Sequence, residues 1–374
     1  MKLPEIALTG IILCLVIFCS NKHNIKNDYL HQQEPPVLTL SAKNISLHGG
    51  TDGSIELNTS GGTEPYSYTW SNVETSKNIN GLSPGSYKVT VADSENDTVI
   101  DSISLTQPYK LLRITSTETG DYDPHWSPDG KFIVFFSNRT GQNEIFIMSS
   151  DGGTARQLTF QGGYHPCWSP DGSTIAFTSS MGGGADDIWT VPAAGGEPIR
   201  ITTDPNRDEN LDWSYDGNRI IFDSNRTGSW NLYSVSALGG DVRQITDHSS
   251  NDNLPSCSPD GSTIAFISQR SGSYELWTVP AQGGTARRMT NGAGFVGYSD
   301  WSPDGNQIVF MSGQSGNPDI WIIPKDGGTP VQLTTHTAPD GYPNWSPDGK
   351  KIAFFSDRDG PGDIWILDIE SKHK

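Results

Sequence analysis

Trp126-Ser127-Pro128-Asp129-Gly130 recurs along this chain, and its recurrence decides the fold. Close copies stand at Trp168–Gly172, Trp213–Gly217 (Tyr215 for proline), Cys257–Gly261 (Cys257 for tryptophan), Trp301–Gly305 and Trp345–Gly349. Their serines lie 42, 45, 44, 44 and 44 residues apart. A fixed period in this range marks a repeat architecture with one four-stranded unit per repeat. The motif itself is a turn: proline presets φ, serine and aspartate bond the local backbone, and glycine accepts the exit geometry.

Working outward, each repeat carries the motif strand and then an apolar run such as Phe132–Phe135 or Ile175–Phe177. A third run follows (Ile145–Met148, Ile188–Val191), then a segment of the Arg-Gln-Leu-Thr type (Arg156–Thr159, Arg243–Thr246). Gly152-Gly153, Gly195-Gly196, Gly239-Gly240, Gly283-Gly284 and Gly327-Gly328 predict tight hairpins between third and fourth strands, where positive φ is needed. A strand of the fourth type, Leu111–Thr115, precedes the first motif, and none follows Ile366–Ile369. The N-terminal strand is therefore expected to complete the last blade and close the ring, removing open sheet edges. The fold class is all-β: a six-bladed β-propeller over 109–374, preceded by a small β-sandwich over 36–108.

These repeats resemble the TolB-type propeller repeat (WD40-like PD40), which specifies a fold and says little about activity. The same repeat builds the propeller of the Tol–Pal envelope system and those attached to prolyl-oligopeptidase-like peptidases. Within 36–108, Gly61–Asn72 and Leu82–Asp93 are similar to the SprB repeat of Bacteroidetes surface adhesins and gliding-motility proteins. That resemblance implies an adhesive module or a spacer. Asp93, Glu95 and Asp97 read as a solvated acidic turn rather than a calcium loop.

Residues 1–19 carry a short positive start and an apolar run from Ile11 to Cys19, the pattern of a secretory signal. Val16-Ile17-Phe18-Cys19 resembles a bacterial lipoprotein box, which implies lipidation of Cys19; an ordinary signal peptide is the alternative. Residues 20–35 are a polar tether. Both readings export the protein, the first onto the outer membrane, facing periplasm or cell surface, held by a lipid anchor alone.

With 25 basic against 43 acidic residues and a net charge of −18, nucleic acid is excluded as a partner. Cys167 and Cys257 fall in the second and fourth repeats, which are not adjacent, so no disulfide is expected between them. Gly313-Gln314-Ser315-Gly316 does not fit the Gly-x-Ser-x-Gly of a nucleophile elbow, no His-Glu-x-x-His occurs among the eight histidines, and the six repeated aspartates of the motif are structural. No catalytic residue is assigned and no cofactor is required.

Repeats become informative where they differ. The residue before the tryptophan position is His125, Cys167, Asp212, Ser256, Asp300 and Asn344 in turn. His125, Asp212 and Asp300 stand on alternate blades, a three-fold set able to hold a divalent metal if they approach the axis. Six polar groups satisfied by backbone and water are the alternative. The loops into the inner strands gather on one face and carry Tyr164, His165, Tyr298 and Tyr342 beside Asp121, Asp123, Asp208 and Glu209, which suits a basic or glycan-bearing ligand. Three readings stay open: a non-catalytic envelope or surface scaffold binding a protein or peptide, a carbohydrate lyase or hydrolase using the channel, and a structural adhesion or gliding protein.

Overall fold

The computed structural model describes residues 35–46, 49–292 and 294–370. The stretch expected to be an export signal, Cys19 and all but the last residue of the expected tether lie outside them. Two three-stranded sheets come first: β1 (Val37–Lys43), β2 (Gly53–Ser60) and β4 (Ile79–Leu82) in one, β3 (Ser67–Trp70), β5 (Gly85–Ala92) and β6 (Thr98–Leu105) in the other. Trp70, Ile55, Leu57, Val89 and Val91 fill the core between them. Asp93 departs from the solvated turn expected of it. It is buried and accepts the N–H groups of Thr63 (3.0 Å), Glu95 (3.0 Å) and Asp97 (2.9 Å), and these bonds, Thr63's foremost, hold its carboxyl below the usual range.

Six antiparallel four-stranded blades follow. Blade one pairs Asp121–Trp126, Phe132–Ser137, Glu144–Ser149 and Arg156–Gln157 in that order. Blade six pairs Asp340–Trp345, Lys351–Ser356 and Asp363–Asp368 with β7 (Lys110–Arg113), which closes the ring. Phe135, Phe177, Phe222, Phe266, Phe310 and Phe354, one per second strand, are fully buried.

The repeated turn explains the repeated shape. In blade one Ser127 Oγ donates to Asp129 Oδ1 (2.7 Å), Asp129 accepts the Lys131 N–H (3.1 Å), and Gly130 sits at φ 72°. The motif also ties blades together. The indole N–H groups of Trp168, Trp213 and Trp301 donate to the carbonyls of His125, Cys167 and Ser256 in the preceding blades (3.1–3.3 Å). A Cβ built on Gly172 or Gly349 would stand 3.7 and 3.8 Å from the prolines of the preceding motifs, Pro128 and Pro303, so each proline packs against the next turn.

On the opposite end of the blades, buried aspartates at the start of the inner strands bind arginines of the loop after the second strand. Asp121–Arg139, Asp208–Arg226, Asp252–Arg270 and Asp340–Arg358 are 2.6–2.8 Å apart. In blades two and five, Gly163 with Met181 and Val296 with Gln314 stand at these places. Those two blades face each other across the axis.

Candidate functional site

The inner strands line the channel, and each carries a β-bulge; the register shifts between Tyr122 and His125 in blade one and at the equivalent place in the other five. The bulged residue lies three before the tryptophan position: Asp123, His165, Asn210, Leu254, Tyr298 and Tyr342. All six have positive φ, between 33° and 55°. A side chain in this region costs about 1–3 kcal/mol, so the fold holds six such residues against their own preference. The bulge turns these side chains into the channel as a ring above the ring at the position before tryptophan. Together they line a cavity of about 70 Å³.

The upper ring closes on itself. His165 Nδ1 meets Asp123 Oδ2 at 2.7 Å. From the opposite blade Tyr298 approaches His165, with ring centroids 6.1 Å apart, and packs on Tyr342 at 4.0 Å, the two hydroxyls 3.3 Å apart. Burial raises the Tyr298 and Tyr342 hydroxyls, so both are neutral donors. Tyr164 stands beside His165 edge-on at 5.1 Å, outside the cavity lining. On the remaining side Asp223 is fully buried and accepts the amide of Asn210 (2.9 Å) and the Leu254 N–H (2.9 Å). Burial pushes its carboxyl well above the ordinary range, beyond what these bonds offset.

The lower ring divides into two groups. Asp212, Asp300 and Asn344 each accept the motif N–H of the next blade: Cys257 (2.7 Å), Trp345 (2.7 Å) and Trp126 (2.8 Å). Asn344 also donates to Asp300 Oδ2 (2.9 Å). These three side chains act as rivets between blades. His125, Cys167 and Ser256 do not share that bond. Cys167 Sγ donates to Asp212 Oδ1 (3.2 Å) and lies 3.7 Å from His125 Nε2. The ligand atoms of His125, Cys167 and Asp212 all lie within 4.8 Å of one another. Asp300 is outside this cluster, so the close trio involves neighbouring blades one to three rather than alternate ones.

Burial governs the protonation of this ring. It lowers the His125 imidazole, against the opposing pull of Asp212, and raises the Cys167 thiol, which Asp212 raises further. Asp300 is pushed up to about 8, by burial first and then by the charge of Asp212, against the Trp345 N–H. A neutral imidazole beside a protonated thiol is not an activated nucleophile pair. Three polar atoms of the channel, His125 Nδ1, Ser256 Oγ and Ser299 Oγ, are buried without a hydrogen-bond partner among the described residues. Cys167 and Cys257 are both free thiols, Cys167 buried and Cys257 half-buried.

Sequence comparison of the blades finds the lower ring directly and names His165, Tyr298 and Tyr342 as loop residues. It misses Asp123, Asn210 and Leu254 as members of one ring. The signal present was the proline after the bulge at Pro124, Pro166, Pro255 and Pro343, a residue without an N–H to give the ladder.

A family model described as TolB beta propeller domain matches residues 69–179, 163–246, 213–296 and 290–374, and one described as SprB repeat matches 39–75. The uncharacterized peptidase YuxL of Bacillus subtilis (strain 168) is 48% identical over 46 residues, 12% of this chain and only 7% of that protein's length. A putative TolB from Agrobacterium tumefaciens is similar in structure at TM-score 0.56 and 23% identity, over 69% of this chain and 96% of that one. An oligogalacturonate lyase from Vibrio parahaemolyticus is similar at TM-score 0.53 and 15% identity, over 78% of this chain and 100% of that one. At these identities the likeness is one of fold.

Proposed function

This chain belongs to the TolB beta propeller domain family, and on that premise we propose that it is a non-catalytic scaffold of the cell envelope or surface whose channel mouth binds a segment of a partner protein. One observation carries the reading. On the loops into blades two and five, where the aspartate–arginine pairs are missing, Phe160 and Phe295 are 73% and 50% exposed. Between them lies the upper ring, with His165 and Tyr298 meeting over the axis. Exposed aromatics rimming a polar, partly strained mouth are the makings of binding hot spots. The acidic groups around that mouth, Asp186 and Glu209 among them, favour a partner segment of basic character.

The experiment is capture from envelope extracts. The wild-type chain and Leu238→Ala, whose side chain projects from the opposite face, retain the same partner, and Phe160→Ala/Phe295→Ala loses it. Equal capture by all three proteins, or capture of nothing by any, overturns the proposal.

The same reading places the protein on the membrane through a lipid on Cys19, with the N-terminal module as a spacer; no helix among the described residues is long and apolar enough to cross a membrane. Cys19→Ala then releases the protein from the membrane fraction into the soluble fraction, and unchanged fractionation refutes the anchor. A glycan-cleaving activity of the channel is the second reading, favoured by the unpartnered Ser256 Oγ and His125 Nδ1. Turnover across a glycan panel, abolished by Ser256→Ala, would support it.

A further inference from the structure

We propose that His125, Cys167 and Asp212 bind one zinc-class divalent cation in the wall of the channel. The donor set is a thiol sulfur, an imidazole nitrogen and a carboxylate oxygen, a mixture suited to zinc and unsuited to calcium or magnesium, which take oxygen. The spacing agrees. Donors around a tetrahedral ion with bonds of about 2.0–2.3 Å stand roughly 3.5 Å apart. Here sulfur lies 3.2 Å from Asp212 Oδ1 and 3.7 Å from His125 Nε2. All three residues come from inner strands of consecutive blades, so rigid sheet rather than loop holds them.

Asp212 is already oriented for one-oxygen ligation. Its Oδ2 accepts the Cys257 N–H at 2.7 Å, leaving Oδ1 toward the sulfur. Oδ1 also accepts its neighbour's Trp213 N–H at 2.8 Å, which fixes the carboxylate plane. Such outer bonds position ligands in metal sites generally. On binding, the Cys167 S–H bond breaks, the proton leaves to solvent, and a sulfur–metal bond forms. The cation then takes the place of the thiol proton between sulfur and Oδ1. His125 and Asp212 line the open cavity, so the fourth coordination position faces channel water. Three departures coincide in this trio: the blade-to-blade rivet is absent at His125 and Cys167, and Asp212 turns its second oxygen to a thiol.

Cobalt(II) titration of the full chain carrying Cys14→Ser and Cys19→Ser tests the site, since Cys167 and Cys257 then supply the only thiols. One equivalent of cobalt is expected to bind, with a thiolate-to-cobalt charge-transfer band that zinc abolishes by displacement. Cys257→Ser keeps the band and Cys167→Ser loses it. His125→Gln weakens zinc binding at least tenfold and removes the zinc-induced rise in melting temperature. Should Cys167→Ser fail to fold, the band in Cys257→Ser assigns the sulfur by itself. Absence of stoichiometric binding by the folded parent chain, or a band lost in Cys257→Ser, overturns the site. None of these readouts depends on a captured partner.

Discussion

Asp300 shows how one residue in a repeat acquires a pH dependence that Asn344, its counterpart in the next blade, lacks. It occupies the position of Asn344 in blade six, and both accept the motif N–H of the following blade. Asparagine does this without charge. Asp300 carries a carboxyl raised to about 8, by burial and by Asp212. A folded-state value above the unfolded one means that the folded chain holds the proton more tightly. The contribution to stability is therefore full below about pH 4 and is lost as pH rises toward 8. In chelator, Asp300→Asn is expected to match the parent in acid and to exceed it at pH 8. Urea midpoints across this range measure the difference, and parallel curves would refute the assignment. The sequence marks Asp300 as a variable channel position through comparison of the blades. That its oxygen is taken by Trp345 N–H, while Cys167 turns to Asp212, depends on how neighbouring strands stagger, and periodicity carries no information about stagger.

At the scale of the element, the motif turn was legible almost atom by atom, because serine, proline, aspartate and glycine each have one conformational use. Departures from the motif are then direct experiments. Blade three places Tyr215 where the other five carry proline, and the side chain is largely exposed. The backbone there follows the same turn: Ser214 Oγ donates to Asp216 Oδ1 at 2.7 Å and Gly217 sits at φ 69°. Tyr215→Pro should fit that backbone and restrict the unfolded chain, stabilising by about 0.4–1 kcal/mol. It also restores the proline that packs on the next glycine, Gly261. Thermal melting checks this, and a lowered midpoint would show that the turn of blade three differs from its siblings. In the same assay Gly172→Ala, which forces a Cβ onto a backbone at φ 72°, should destabilise by about 1–2 kcal/mol. The bulge of the inner strand was the unread element. It depends on two residues of one strand opposing one of its neighbour, and alternation of apolar and polar residues around the x-Pro pair is compatible with either register.

Ring closure belongs to the whole molecule, and it was legible because the repeat is out of phase at its two ends. β7 pairs with the third strand of blade six, Leu112 opposite Ile366 and Arg113 opposite Trp365. Its last residues do more than pair. Arg113 meets Asp363 at 2.6 Å, Thr115 Oγ1 donates to the same carboxylate at 3.1 Å, and Ile364 donates its N–H to Thr115 Oγ1 at 2.9 Å. Asp363 is fully buried. Without β7 it would stand as a buried carboxylate stripped of its arginine, a loss of about 3–5 kcal/mol before any apolar area is counted. Ile114, in the core shared by blades one and six, would go with it. Two truncations separate closure from the preceding module. A chain beginning at residue 109 keeps β7 and should melt cooperatively within a few degrees of the parent. A chain beginning at residue 117 loses β7, exposes the edge of the Asp363–Asp368 strand, and should unfold at markedly lower urea or aggregate through that edge. Thr115→Ala in the longer chain is the intermediate case, losing two hydrogen bonds while the strand stays. Were both truncations equally stable, blades one and six would be holding together by face packing alone, with Pro347 seated on the Gly130 turn as the motif proline is at most other seams.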